Sequence, residues 1–186
     1  MDMQIISKAN AHYLLQNLLP EDGSGLNHWS ISVGGLGSDS YAGMVFWDAD
    51  IFMAPGVAAS HPSYAAQVPN YRVMLSDQAA VNAQENNFSS EAIIYPWTSG
   101  RFGNCTGTGP CVDYQYHLNS DIFLNNLIYW RITGDDPWFQ NEALPVNNGI
   151  VQMFSELVKY NQSVAAYSIR NMTDPDGNLF LVMVLC

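Results

Sequence analysis

The chain has 186 residues, 48% hydrophobic and 12% charged, a globular composition that excludes a disordered chain. Seventeen acidic residues against 6 basic ones give a formal net charge of -11. The basic residues (Lys8, Arg72, Arg101, Arg131, Lys159 and Arg170) are scattered, so no patch can neutralise a run of phosphates, and neither nucleic acid nor an anionic membrane is expected as a partner.

Apolar residues recur at helical spacing from Ile5 to Leu19, and Pro20 with Gly23 predicts the end of that helix. The opening residues do not form an apolar leader. Ile31 to Phe52, rich in Gly, Ser and aromatics, reads as short extended segments and loop. Residues 51–86 read as two helices broken near His61-Pro62. Phe88 to Asp113, punctuated by Pro96, Gly100, Gly103 and Pro110, reads as a long loop, and such a loop inside a compact domain is a place to look for function. His117 to Thr133 reads as a helix stopped by Gly134-Asp135-Asp136-Pro137. Pro145 to Tyr160 reads as an amphipathic helix with Ile150, Met153, Phe154, Leu157 and Val158 on one face. Helix, long decorated loop, helix is the rhythm of an all-α domain whose site lies on loops at one end. The closing run Leu179 to Leu185 is apolar but too short to span a bilayer.

Within this frame, Val45-Phe46-Trp47-Asp48-Ala49-Asp50-Ile51-Phe52 is the densest cluster. Sugars are held by stacking of C–H faces on indole and by carboxylates that accept from vicinal hydroxyls, and Trp47 beside Asp48 offers both. A core tryptophan with an aspartate capping a helix, Asp50 fitting that role, is the competing reading. Tyr95-Pro96-Trp97-Thr98-Ser99-Gly100-Arg101 adds a second stacking face, a hydroxyl and a cation, or else a packed loop with Arg101 paired to an acid. His117 and Asp121 share a helical face. They read as an ion pair or a substrate-facing pair, and as metal ligands only if a third ligand joined them.

Four N-x-[ST] sequons, at Asn87, Asn104, Asn161 and Asn171, point to the secretory pathway. Cys105 and Cys111 bracket a Thr-Gly-Thr-Gly-Pro turn and can close a small disulfide loop, while Cys186 has no partner of its own.

The order Trp47-Asp48-Ala49-Asp50-Ile51-Phe52, Tyr95-Pro96-Trp97-Thr98-Ser99-Gly100, the Asn104-to-Asp113 turn, His117-Leu118-Asn119 and Asn171-Met172-Thr173-Asp174-Pro175-Asp176 resembles the acid trehalase branch of glycoside hydrolase family sixty-five, which also holds maltose and kojibiose phosphorylases. The lead-in Ser38-Asp39-Ser40-Tyr41-Ala42-Gly43 and the Cys105/Cys111 turn resemble the trehalase branch in particular. The resemblance implies part of an (α/α)₆ barrel, incomplete at its C-terminal side, spanning residues 1–176. It implies inverting hydrolysis of the disaccharide α,α-trehalose by an acid and a base, without a cofactor or a metal. It places the non-reducing glucose on Trp47 and Asp48, with Tyr95, Trp97, Arg101 and His117 lining the cleft. It also implies a secreted, cell-wall or vacuolar glycoprotein.

One departure stands out. Where the family places a glutamate acid after Asp-Pro-Asp, this chain has Gly177, and residues 177–186 resemble nothing in the family. The sequence therefore carries the expectation of a divergent tail, such as a retained intron or misread splice site leaves, and of a chain that holds sugar but does not cleave it. A non-catalytic sugar-binding fragment and a phosphorylase relative are the alternatives. Unpartnered apolar helix faces are expected as well.

Overall fold

The computed structural model describes residues 2–20, 29–107, 111–163 and 165–173, and the backbone of 179–185. It divides into two compact units, one of residues 1–74 with 121–143 and the other of residues 75–120 with 144–186.

The first unit opens with α1 (Asp2–Leu15), which buries none of its residues and leaves Met3, Ile5, Ile6 and Tyr13 exposed. The helix stops four residues short of the sequence-based limit at Leu19; the Asn17 and Leu18 N–H groups close turns on the Leu14 and Leu15 carbonyls at 3.1 Å, and the Leu19 N–H donates to Gln67 Oε1 at 2.8 Å. Residues 31–53 keep extended backbone at Ser38 and Met44 and add 3₁₀ turns at Gly35–Gly37 and Ser40–Gly43 and a π-helical turn at Ala49–Met53, none of them predicted from the sequence. Tyr41 and Ala42 take left-handed backbone angles (φ 55° and 54°), a conformation that costs non-glycine residues about 1–3 kcal/mol each.

The two helices expected over 51–86 are four. They are α2 (Ala54–Ser60), α3 (Pro62–Ala65), α4 (Gln67–Met74) and, in the second unit, α5 (Ser76–Glu85). The break at His61-Pro62 is where the sequence puts it, because proline cannot continue a helix through its own nitrogen. Val57, Ala58, Ala65, Val68 and Tyr71 are buried from these helices. Ala65, Val68 and Tyr71 recur at intervals of three, the core side of successive helical turns.

The long helix α6 (His117–Thr133) has the predicted limits. Gly134 ends it in the left-handed conformation (φ 67°), with its N–H donating to the Trp130 carbonyl at 2.8 Å. Asp135 caps the short α7 (Asp136–Trp138) by accepting from the Trp138 N–H at 3.0 Å. A π-helical turn, Phe139–Ala143, leads into α8 (Leu144–Leu157). In the second unit Ala83, Ala92, Ile94, Val112 and Met153 form a core to which Phe88, Tyr116, Phe154 and Leu157 add partly buried faces.

After α8 the chain forms a three-stranded antiparallel sheet in the order β1 (Lys159–Asn161), β2 (Ala166–Thr173), β3 (Leu179–Leu185). The register pairs Tyr160 with Tyr167 and Thr173 with Leu179. Neither β1 nor β2 has the apolar/polar alternation that marks a half-buried strand, and β2 buries Ser168, Ile169, Met172 and Thr173 as two adjacent pairs. The molecule remains mostly helical. Among the described residues no helix is long and apolar enough to cross a membrane.

Candidate functional site

In the first unit, Trp47 and Asp48 enter the π-helical turn and are each half-buried. The Trp47 carbonyl accepts from the N–H groups of Asp50 and Ile51 at 3.0 and 3.1 Å. The Trp47 ring meets the Phe52 ring edge-on at a centroid distance of 5.0 Å. An indole and a carboxylate thus stand on adjacent half-buried residues, the pair of groups that sugar recognition uses.

Asp50 does not cap a helix. It is 0% exposed and accepts from Arg72, also 0% exposed, at 2.7 Å. Asn125 of α6 reaches its other oxygen at 3.5 Å. Burial pushes the Asp50 carboxyl up from its usual range, while the Arg72 guanidinium and its hydrogen bond pull it down. A lone buried cation and a lone buried carboxylate would each be expensive, and pairing them removes most of that penalty. The sequence gives no direct sign of this pairing, since the two residues stand 22 positions apart.

In the second unit, residues 86–107 and 111–116 are loop and turn, where the sequence predicts a long loop from Phe88 to Asp113. The loop is ordered because its backbone polar groups find partners elsewhere. The Ile94 N–H donates to the Ala79 carbonyl at 3.1 Å, and the Ile93 N–H to the Gly149 carbonyl at 3.0 Å. Asn82 donates to the Gly103 carbonyl at 3.0 Å. Glu156 accepts from the Ser89 N–H at 3.0 Å and from its hydroxyl at 2.5 Å, and also from Gln152 at 2.9 Å. These bonds hold the Glu156 carboxyl below its ordinary pKa, the Ser89 side chain contributing most.

The same loop carries the sequence-predicted residues Tyr95, Trp97 and Arg101, and His117 opens α6 directly after it. Tyr95 is buried, and its N–H donates to Asn119 Oδ1 at 2.8 Å. Trp97 is half-buried; its N–H donates to the Cys111 carbonyl at 2.6 Å, and its ring meets the His117 ring edge-on at 5.4 Å. His117 also contacts Gln115 Oε1 at 3.0 Å. Arg101 is exposed, with its guanidinium over the Phe102 ring at 5.6 Å. Trp97 and His117 are thus brought together, Tyr95 is anchored two residues beyond His117 through Asn119, and Arg101 points to solvent. The Cys105 and Cys111 Cα atoms lie 5.4 Å apart and their sulfurs are joined.

Of the sequon asparagines, Asn87, Asn104 and Asn171 are exposed and Asn161 is half-buried. Among the described residues no group of three or more His, Cys, Asp or Glu is placed to hold a metal ion. Gly177 lies outside the described residues.

Residues 10–178 match the family described as glycosyl hydrolase family 65 central catalytic domain. The chain is 47% identical to an acid trehalase of Emericella nidulans over 92% of its own length and 18% of the relative's. It is 46% identical to a cell wall acid trehalase of Arthroderma benhamiae over 98% of its length and 18% of the relative's. A solved structure described as a kojibiose phosphorylase from the human microbiome superposes with a TM-score of 0.70 at 21% identity, over 80% of this chain and 20% of that one. The chain therefore spans less than a fifth of the length of these curated relatives.

Proposed function

The chain belongs to glycosyl hydrolase family 65, and from that premise we propose that it supplies sugar-binding residues to an acid trehalase, an enzyme that hydrolyses α,α-trehalose to glucose with inversion at the cleaved carbon. The observation that carries the reading is the 46–47% identity to acid trehalases across nearly the whole chain.

In this proposal Trp47 stacks on a glucose ring and Asp48 accepts from its hydroxyls. Trp97, His117 and Tyr95, held by the second unit's loop, and Arg101, with its free reach into solvent, contribute further sugar contacts. Gly177 stands where the family's proton donor is expected, and glycine has no proton to give. This chain by itself therefore binds sugar and cleaves nothing. The acidic charge, the sequons and the cell-wall name of one relative support an extracellular, glycosylated protein. No nucleic acid or membrane takes part.

The test is calorimetric titration of the chain with trehalose, alongside Trp47→Ala and Asp48→Asn, together with an assay for released glucose. Trehalose binding that weakens about tenfold or more in either variant, equivalent to about 1.4 kcal/mol, supports the reading. Binding indifferent to both substitutions refutes the assignment of these residues. Glucose release at the rate of an intact trehalase refutes the inactivity. Formation of glucose 1-phosphate from kojibiose and phosphate instead would move the protein to the phosphorylase branch.

A further inference from the structure

We propose that Arg72 and Asp50 are positioning residues for the Trp47–Asp48 pair, an inference that rests on reading that pair as sugar contacts. A single guanidinium nitrogen of Arg72 makes two bonds. It donates to the Phe46 carbonyl at 3.3 Å and to Asp50 Oδ2 at 2.7 Å. Phe46 immediately precedes Trp47, and Asp50 follows Asp48 by two residues. The arginine thus fastens both ends of the short segment that presents the indole and the carboxylate. Asn125 approaches Asp50 from α6 at 3.5 Å, and the Asp50 and Ile51 N–H groups close back on the Trp47 carbonyl at 3.0 and 3.1 Å.

The chemistry suits orientation better than bulk stability. A well-packed apolar pair of similar volume commonly stabilises a core as well as a buried ion pair does. What the ion pair adds is direction, since the two N–H bonds of one planar guanidinium nitrogen point in fixed directions. Here the backbone between the two bonded points turns through a π-helical turn, a feature that often occurs at functional sites. The fully buried ion pair thus anchors the backbone on both sides of two half-buried residues and fixes the directions in which they leave it.

The conservative variants Arg72→Lys, which keeps the charge and loses the planar nitrogen, and Asp50→Asn, which keeps the shape and loses the charge, test this. Amide hydrogen exchange is read on residues 46–51 and on α2 of the same unit, and trehalose affinity is read by calorimetry. The expected result is exchange at 46–51 accelerated about tenfold or more and affinity lowered about tenfold, with α2 unchanged. Equal acceleration of α2 overturns the proposal, because the pair would then be a general structural support. Unaltered exchange at 46–51 also overturns it. If Arg72→Lys fails to fold, Asn125→Ala removes only the outer bond and must shift exchange at 46–51 in the same direction for the proposal to stand. The reading of the dyad is separated by Trp47→Ala in the otherwise unchanged chain. If that variant binds trehalose normally, the sugar assignment fails, whatever the exchange data show. If it loses binding while Arg72→Lys and Asp50→Asn keep it, positioning alone fails.

Discussion

Replacing Gly149 by alanine tests how the loop that follows α5 is seated. A methyl at this position of α8 would lie 2.6 Å from Ile93 Cδ1 and Cγ1 and 2.9 Å from Ile93 Cβ. Carbon atoms pack at about 3.5–4.0 Å, so Ile93 must move by close to an ångström. A rotamer change relieves the outer carbons but not Cβ, which moves only with the backbone. That backbone is held where it is, because the Ile93 N–H donates to the carbonyl of Gly149 itself at 3.0 Å. Overpacking of this kind costs about 1–3 kcal/mol. Alanine in a helix interior recovers about 1 kcal/mol over glycine. The net expectation is a loss of about 1 kcal/mol. Gly56 in α2 is the control. Nothing lies within 4 Å of its hypothetical methyl, so Gly56→Ala should stabilise by up to about 1 kcal/mol. Urea titration of both variants, followed by far-UV circular dichroism and tryptophan fluorescence, gives the two signs. A Gly149→Ala variant as stable as Gly56→Ala would refute the seating of the loop against α8.

Asn119→Ala leaves the buried Tyr95 N–H without its 2.8 Å acceptor and should destabilise by about 1–3 kcal/mol, as read by urea titration; a loss within error of zero would show that the bond is dispensable. Glu156 predicts a pH dependence. Its folded pKa lies below the ordinary glutamate value, so its contribution is complete above that value and disappears as pH falls through the depressed folded one. Glu156→Gln should therefore flatten the acid limb of a stability-versus-pH series, and an unchanged limb would assign acid sensitivity to other groups.

Much of the helical framework is legible in the sequence because its signals are local. The limits of α6 follow from apolar spacing and from Gly134, and the break at Pro62 follows from proline's missing donor. The described part of the loop between α5 and α6 is likewise legible from its glycines and prolines. The sheet is not, because β2 buries Ser168-Ile169 and Met172-Thr173 as pairs and so shows no period of two.

The candidate site divides in the same way. Trp47, Asp48, Trp97 and His117 stand out by residue type and order, and the sequence by itself determined the family. Only the tertiary structure decided that Asp50 is the buried partner of Arg72 and not a helix cap, and that Gly149 must be glycine because Ile93 occupies the space. Each depends on residues distant in sequence meeting at bonding or contact distance: a carboxylate's role is set by which cation it meets out of water, and a glycine's by which side chain folds against it.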